Sequence, residues 1–122
     1  MVPHQDTRPL AVLVEDQVIV CMALEGILQD AGYDVLTAHS AEDALRVFSG
    51  DRKIDVLLTD IELTGMDGVS LSWRARQNRP DLAIVLTSGR WLESEMAQPP
   101  GSRFLAKPFS EWQLLTAIEG AI

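Results

Sequence analysis

From Leu10 onward the chain alternates between two textures of apolar and polar residues. Short β-branched, apolar runs occur at Leu10–Val14, Asp34–Ala38, Ile54–Thr59, Ala83–Thr87 and Arg103–Ala106. Runs this continuous predict strands covered on both faces. Helical spacing fills the intervals. Val18, Cys21, Met22, Glu25, Leu28 and Gln29 separate apolar from polar groups around a first helix. Ser40 with Asp43 three residues later forms a capping-box-like start for a second, which carries Ala44, Leu45, Val47 and Phe48. A third is predicted from Gly68 to near Asn78, ahead of Pro80, and a last one after Ser110 as N-cap, with Leu114, Leu115 and Ile118 inward.

Alternation of strand and helix with doubly buried strands predicts a parallel sheet covered by helices on each side. At this chain length, right-handed crossovers make the doubly wound, flavodoxin-like strand order 2-1-3-4-5 the natural arrangement. The weak point is residues 91–102, where Pro99-Pro100-Gly101 leaves room only for a short or irregular fourth helix. Residues 1–9 are polar, carry two prolines and read as a flexible leader, so the folded domain is expected over residues 10–122.

Length and charge narrow the functional classes. With 122 residues the chain can bury one core. A net charge of −8 argues against nucleic acid and anionic membrane as partners. Its apolar runs are too short to span a bilayer, and no signal peptide is legible. The lone Cys21 has no intrachain disulfide partner, which fits a reducing cytoplasm. His4 falls in the leader and His39 at the far end of the second strand, so neither is expected to be a ligand.

In a doubly wound sheet, loops at the carboxyl ends of the strands converge on one crevice. The residues placed there are Glu15-Asp16 after strand one, Asp60 after strand three, Thr87-Ser88-Gly89 after strand four and Lys107-Pro108 after strand five. Crowded carboxylates need a cation, and a hard divalent ion with oxygen ligands suits them. Mg²⁺ keeps several waters, so Asp16 and Asp60 are expected as direct ligands, with Glu15 acting through water. Lys107 adds a fixed positive charge and Ser88 a hydroxyl donor. This is the set that phosphoryl transfer to a carboxylate requires: an ionised Asp as nucleophile, with cations and a hydroxyl to bind the phosphoryl oxygens. Asp60 is the best nucleophile candidate, because it ends the central strand before a loop holding Gly65 and Gly68.

Val12-Leu-Val-Glu-Asp16, Leu57-Leu-Thr-Asp60, Gly65-Met-Asp-Gly68, Leu86-Thr-Ser-Gly89 and Phe104-Leu-Ala-Lys-Pro-Phe109 resemble the sequence marks of receiver domains of two-component response regulators. They occur in the right order and extend from Leu10 to the C-terminus. The resemblance implies that a histidine kinase or histidine phosphotransfer protein donates a phosphoryl group to Asp60 in a Mg²⁺-dependent reaction. It further implies that the backbone carbonyl of Glu62 completes the metal site, and that Ser88 and Phe104 act as a switch altering a surface for an unidentified downstream protein. A cis Lys107–Pro108 bond is also implied.

Each fragment has an ordinary reading too: Glu15-Asp16 as solvated loop charge, Lys107 as a surface lysine, Phe104 as a core aromatic, Asp67-Gly68 as a turn and helix entry without chemistry. Thr87 and Ser88 compete for the switch role, and the position before Gly89 favours Ser88. Of Trp73, Trp91 and Trp112, the last two flank the region of the fourth and fifth elements and fit either partial burial or a partner surface. The sequence departs from the family pattern at Thr64, where proline is usual, and in the short, proline-bearing stretch before strand five. Glu62 and Arg90 are expected to pair over the pocket mouth. Three other readings compete. A small haloacid-dehalogenase-like phosphatase uses similar groups, but carries its nucleophile on strand one and a second Asp two residues later, where Glu62 stands here. A flavodoxin-like cofactor binder needs a Ser/Thr/Gly loop where Glu15-Asp16 would repel phosphate. The third reading is the receiver portion of a hybrid kinase or multidomain regulator.

Overall fold

The computed structural model describes residues 8–90 and 97–122. Its elements follow in the order β1 (Leu10–Val14), α1 (Val18–Asp30), β2 (Asp34–Ala38), α2 (Ala41–Phe48), β3 (Val56–Asp60), α3 (Gly68–Asn78), β4 (Ala83–Ser88), β5 (Arg103–Ala106) and α4 (Glu111–Ala121). The strands form one five-stranded parallel sheet in the order β2-β1-β3-β4-β5, the flavodoxin-like arrangement expected from the pattern.

Alternate residues of each central strand feed opposite layers. Leu10, Val12, Val14, Leu57, Ile84 and Leu86 pack with Ala41, Ala44 and Phe48 of α2 and Leu71 and Ala75 of α3. Ala11, Leu13, Val56, Leu58, Ala83 and Val85 face Cys21, Leu24 and Leu28 of α1 and Leu114 and Ile118 of α4. The central strands β1, β3 and β4 are buried along their whole length, and each fully buried Leu, Ile or Phe contributes about 1.5–3 kcal/mol. The edge strand β5 is only partly covered. Cys21 is a buried, free thiol whose pKa is pushed up by burial.

Local signals set the helix ends. The Ser40, Asp67 and Ser110 side chains accept from the backbone N–H of Asp43, Ser70 and Gln113, and Ser110 with Gln113 completes a reciprocal capping box. The third strand starts two residues later than the apolar run suggested. Asp55 has its own fastening instead: its carboxylate accepts from the Leu10 N–H at 2.8 Å, and its N–H donates to the Leu10 carbonyl at 2.9 Å.

Of the stretch expected to hold a short or irregular fourth helix, residues 91–96, including Trp91, lie outside the described residues. Residues 97–102 form a turn without helix, tied to α3 by Trp73 Nε1 donating to the Ala97 carbonyl at 2.8 Å and Arg76 to the Pro100 carbonyl at 2.7 Å. Trp73 thus has a structural use, whereas Trp112 stays 74% exposed on α4. Residues 1–7 of the expected leader, with His4, are also outside the described residues; Pro9, its last residue, accepts from the Asp34 N–H at 2.9 Å. Among the described residues, no helix is long and apolar enough to cross a membrane.

Candidate functional site

Glu15 follows β1 directly, and its N–H donates to the Ala38 carbonyl at 3.1 Å, so the β1–β2 ladder extends to the rim of the site. Glu15 is 1% exposed, and its carboxylate accepts from the Gln17 N–H at 3.1 Å. Asp60 closes β3 opposite Thr87 of β4 and is 6% exposed. Asp16, the most open of the three, completes a cluster whose carboxylate oxygens lie within 4.8 Å of one another. The crevice predicted at the carboxyl edge is therefore built, and Glu15, Asp16 and Asp60 meet in it.

Lys107 arrives from β5 through a backbone bond, its N–H donating to the Ser88 carbonyl at 2.9 Å. Its ammonium sits 3.1 Å from Asp60 Oδ2 and 3.5 Å from Glu15 Oε1. The Lys107–Pro108 peptide is cis, as the resemblance implied. Phe104 is partly buried against the layer that holds Leu86.

The electrostatics follow from burying charge. Desolvation raises the Asp60 pKa against the lowering effect of Lys107, with the Glu62 charge adding to the rise. Burial likewise raises Glu15, against the Gln17 N–H and Lys107, with Asp60 and Asp16 reinforcing it. For Lys107, burial alone would lower the pKa, but the hydrogen bond and charge of Asp60, joined by Glu15, carry it upward. One ammonium thus does not balance three carboxylates. The all-oxygen donor set and its residual negative charge fit a hard divalent cation such as Mg²⁺.

One feature departs from the sequence reading, and two others add to it. Glu62 does not pair with Arg90: among the described residues no ion pair joins them. The Glu62 carboxylate instead accepts from the Ser88 hydroxyl at 2.5 Å and the Gly89 N–H at 3.3 Å, while the Arg90 N–H donates to Ser88 Oγ at 3.0 Å. The loop geometry brings two donors to that carboxylate, a feature no spacing rule exposes. His39, at the end of β2, lies beside the site, its Nδ1 donating to the Glu15 carbonyl at 3.0 Å. In parallel strands the end of β2 stands next to the end of β1, and that register could have been read from the sheet order.

Gly68 is the third. It starts α3, and its N–H donates to the Ile61 carbonyl at 3.0 Å. A Cβ there would fall 2.1 Å from the carbonyl oxygen of Asp60. The residue assigned no chemistry therefore lets α3 pack onto the backbone that carries Asp60. A glycine at a helical position, where alanine is better by about 1 kcal/mol, was the available signal.

Comparison with known proteins agrees with this geometry. The family model of the response regulator receiver domain matches residues 11–119. The chain is 34% identical to sensor kinase CckA of Brucella abortus over 112 residues, which cover 88% of this chain and 12% of that protein. The transcriptional regulators it matches are also longer, the chain spanning 25% of NtrC from Klebsiella pneumoniae. A response regulator receiver protein from Sinorhizobium medicae superposes with a TM-score of 0.87 at 31% identity, covering 94% of each chain. TrrA of Thermotoga maritima, solved in complex with Mg²⁺-BeF, superposes with a TM-score of 0.77 at 26% identity, covering 93% of this chain and 99% of that one. With its sheet order, its acidic pocket and a family match over nearly its whole length, the chain belongs to the response regulator receiver domains and is a phosphorelay signalling receiver.

Proposed function

We propose that Asp60 accepts the phosphoryl group in this domain, from a phosphohistidine on a histidine kinase or histidine phosphotransfer protein. The observation that carries this is the Lys107 ammonium 3.1 Å from Asp60 Oδ2, with Glu15 and Asp16 in the same pocket. An Asp60 carboxylate oxygen attacks phosphorus, the bond from phosphorus to the histidine nitrogen breaks, and the imidazole leaves. Lys107 holds one carboxylate oxygen and offsets negative charge as the phosphoryl oxygens approach. The Asp60 N-terminal neighbours fix it: β3 is buried throughout, and the Thr59 hydroxyl donates to the Asp60 carbonyl at 2.9 Å. Ser88 supplies a hydroxyl for a phosphoryl oxygen, and Phe104 on β5 is in place to respond to its movement.

Mg²⁺ held by the carboxylates of Asp16 and Asp60, by Glu15 through water and by the Glu62 backbone carbonyl would neutralise the charge that Lys107 leaves unbalanced. The Mg²⁺-BeF complex of the TrrA receiver supports this reading. Residues 10–122 form the receiver unit in this proposal. It is a signalling device rather than an enzyme with a turned-over substrate, and its output passes through a protein surface. Because its donors are kinases or phosphotransfer proteins of the cell interior, and Cys21 is a free buried thiol, we place it in the cytoplasm.

The test is phosphotransfer from candidate kinases with Mg²⁺, using Asp60→Asn as the control. Label on the wild type and none on Asp60→Asn is expected; label persisting on the Asn variant removes Asp60 as acceptor.

A further inference from the structure

We propose that the Glu62 side chain is a catch on Ser88, holding its hydroxyl in the resting domain and competing for it with a phosphoryl group on Asp60. The inference rests on the phosphoryl-site reading above and adds a residue that sets how readily the site closes.

The bond is built from both sides. Ser88, 1% exposed at the end of β4, donates its hydroxyl proton to Glu62 Oε2 at 2.5 Å. Glu62 stands in the β3–α3 loop two residues after Asp60, its own N–H donating to Asp60 Oδ1 at 3.3 Å. Its second carboxylate oxygen accepts from the Gly89 N–H at 3.3 Å, so one carboxylate grips consecutive residues of the β4 end. The Ser88 oxygen accepts from the Arg90 N–H at 3.0 Å, which orients the hydroxyl within its own loop.

A serine hydroxyl carries one proton and can give it to one strong acceptor at a time. A hydroxyl bonded to a carboxylate at this separation is in the charge-assisted class, roughly twice as strong as a neutral pair. A phosphoryl group on Asp60 presents anionic oxygens of the same kind. Ser88 therefore exchanges one charged acceptor for another when it turns toward the phosphoryl group, and the two arrangements form a two-state equilibrium that Glu62 biases toward rest. Glutamine in its place keeps an acceptor oxygen but no charge, so the resting bond weakens and the closed arrangement gains.

Plain repulsion between Glu62 and an incoming anion predicts a similar gain, and a double-mutant cycle through Ser88 separates the two. Beryllium trifluoride, as the phosphoryl mimic, is titrated into the full chain by calorimetry at saturating Mg²⁺. The chains compared are wild type, Glu62→Gln, Ser88→Ala and the double variant, with Glu62→Ala as a second way of removing the charged acceptor. Glu62→Gln and Glu62→Ala are expected to tighten binding about tenfold when Ser88 is present and to leave it unchanged in the Ser88→Ala background. Unchanged or weaker binding in the Glu62 variants overturns the catch. Equal tightening in both backgrounds overturns it as well and assigns the effect to repulsion. A wild type that binds no beryllium trifluoride defeats the phosphoryl-site reading itself, a result distinct from either.

Discussion

One methyl group at Gly68 should disturb the site from behind. The Cβ of Gly68→Ala would lie 2.1 Å from the Asp60 carbonyl oxygen, 2.9 Å from its carbonyl carbon and 3.0 Å from Ile61 Cα. Comfortable carbon contacts start near 3.5 Å, so relief needs a movement of about 1 Å. Neither partner gives easily. The Thr59 hydroxyl donates into the same Asp60 carbonyl at 2.9 Å, and the Ile61 N–H donates to the Thr87 carbonyl at 2.9 Å. Overpacking of this kind costs about 1–3 kcal/mol, and the helix preference of alanine returns less than about 1 kcal/mol. A net loss of about 2 kcal/mol corresponds to a fall in Tm of about 8 °C for a domain of this size. If Asp60 is the acceptor as proposed, a displacement of about 1 Å there costs about 100-fold in rate. Thermal melting by circular dichroism and the rate of phosphorylation by acetyl phosphate read the two effects. A Tm within about 1 °C of wild type together with an unchanged rate would refute the close-approach argument.

The titration of the site has a definite sign. Burial raises the folded pKa of Asp60 and Glu15, so their stabilising contribution is complete below the ordinary carboxylate range and is lost as pH rises through the raised values. Metal-free protein should therefore lose stability as pH rises from the ordinary carboxylate range through those raised values, Mg²⁺ should restore it, and Asp60→Asn should melt higher than wild type above them without Mg²⁺; a lower melt contradicts the burial argument. The Lys107 contribution runs at the other end: its raised pKa carries stability that is full below the ordinary lysine range and lost above it. Lys107→Met should slow phosphorylation by acetyl phosphate about 10²-fold or more, and a rate within about threefold of wild type would remove the lysine from the transfer. Arg79 donates to the carbonyls of Arg52, Phe48 and Gly50 at 2.6, 3.2 and 2.9 Å, well away from the acidic pocket. Arg79→Ala should lower stability by about 1–2 kcal/mol in a urea melt while leaving phosphorylation unchanged; an unaltered midpoint shows those bonds to be idle.

The parts of the fold legible in the sequence were those where one physical demand dominates. Leu10–Val14, Asp34–Ala38 and Arg103–Ala106 match their strands end to end, because apolar runs bounded by polar residues leave little choice of boundary. Ser40 and Ser110 mark helix starts because a hydroxyl satisfies an N–H that the helix itself cannot. The Ile54 start of the third strand failed because burial and ladder pairing are different demands: Ile54 is buried, but Asp55 makes the edge contacts to Leu10 and pairing begins at Val56.

The pocket was legible for a topological reason. Parallel strands that end in, or are followed directly by, Glu15, Asp60, Ser88 and Lys107 must deliver those residues to one edge, whatever the side-chain details. What remained hidden depends on loops meeting across the edge. The Glu62 carboxylate reaches Ser88 and Gly89 rather than Arg90, and His39 reaches the Glu15 carbonyl, through contacts between residues distant in the chain. The helix entry at Asp67-Gly68 was legible, but a sequence records that Gly68 is small and not what it makes room for.

The most direct measurement of where the phosphoryl group goes is chemical mapping. Wild-type protein phosphorylated with Mg²⁺ and a small acyl phosphate is reduced with borohydride, which converts an aspartyl phosphate to homoserine, and its peptides are sequenced by mass spectrometry. Homoserine at position 60, dependent on Mg²⁺ and confined to that residue, is the predicted result. Homoserine at Asp16 or another aspartate, with position 60 intact, would contradict it.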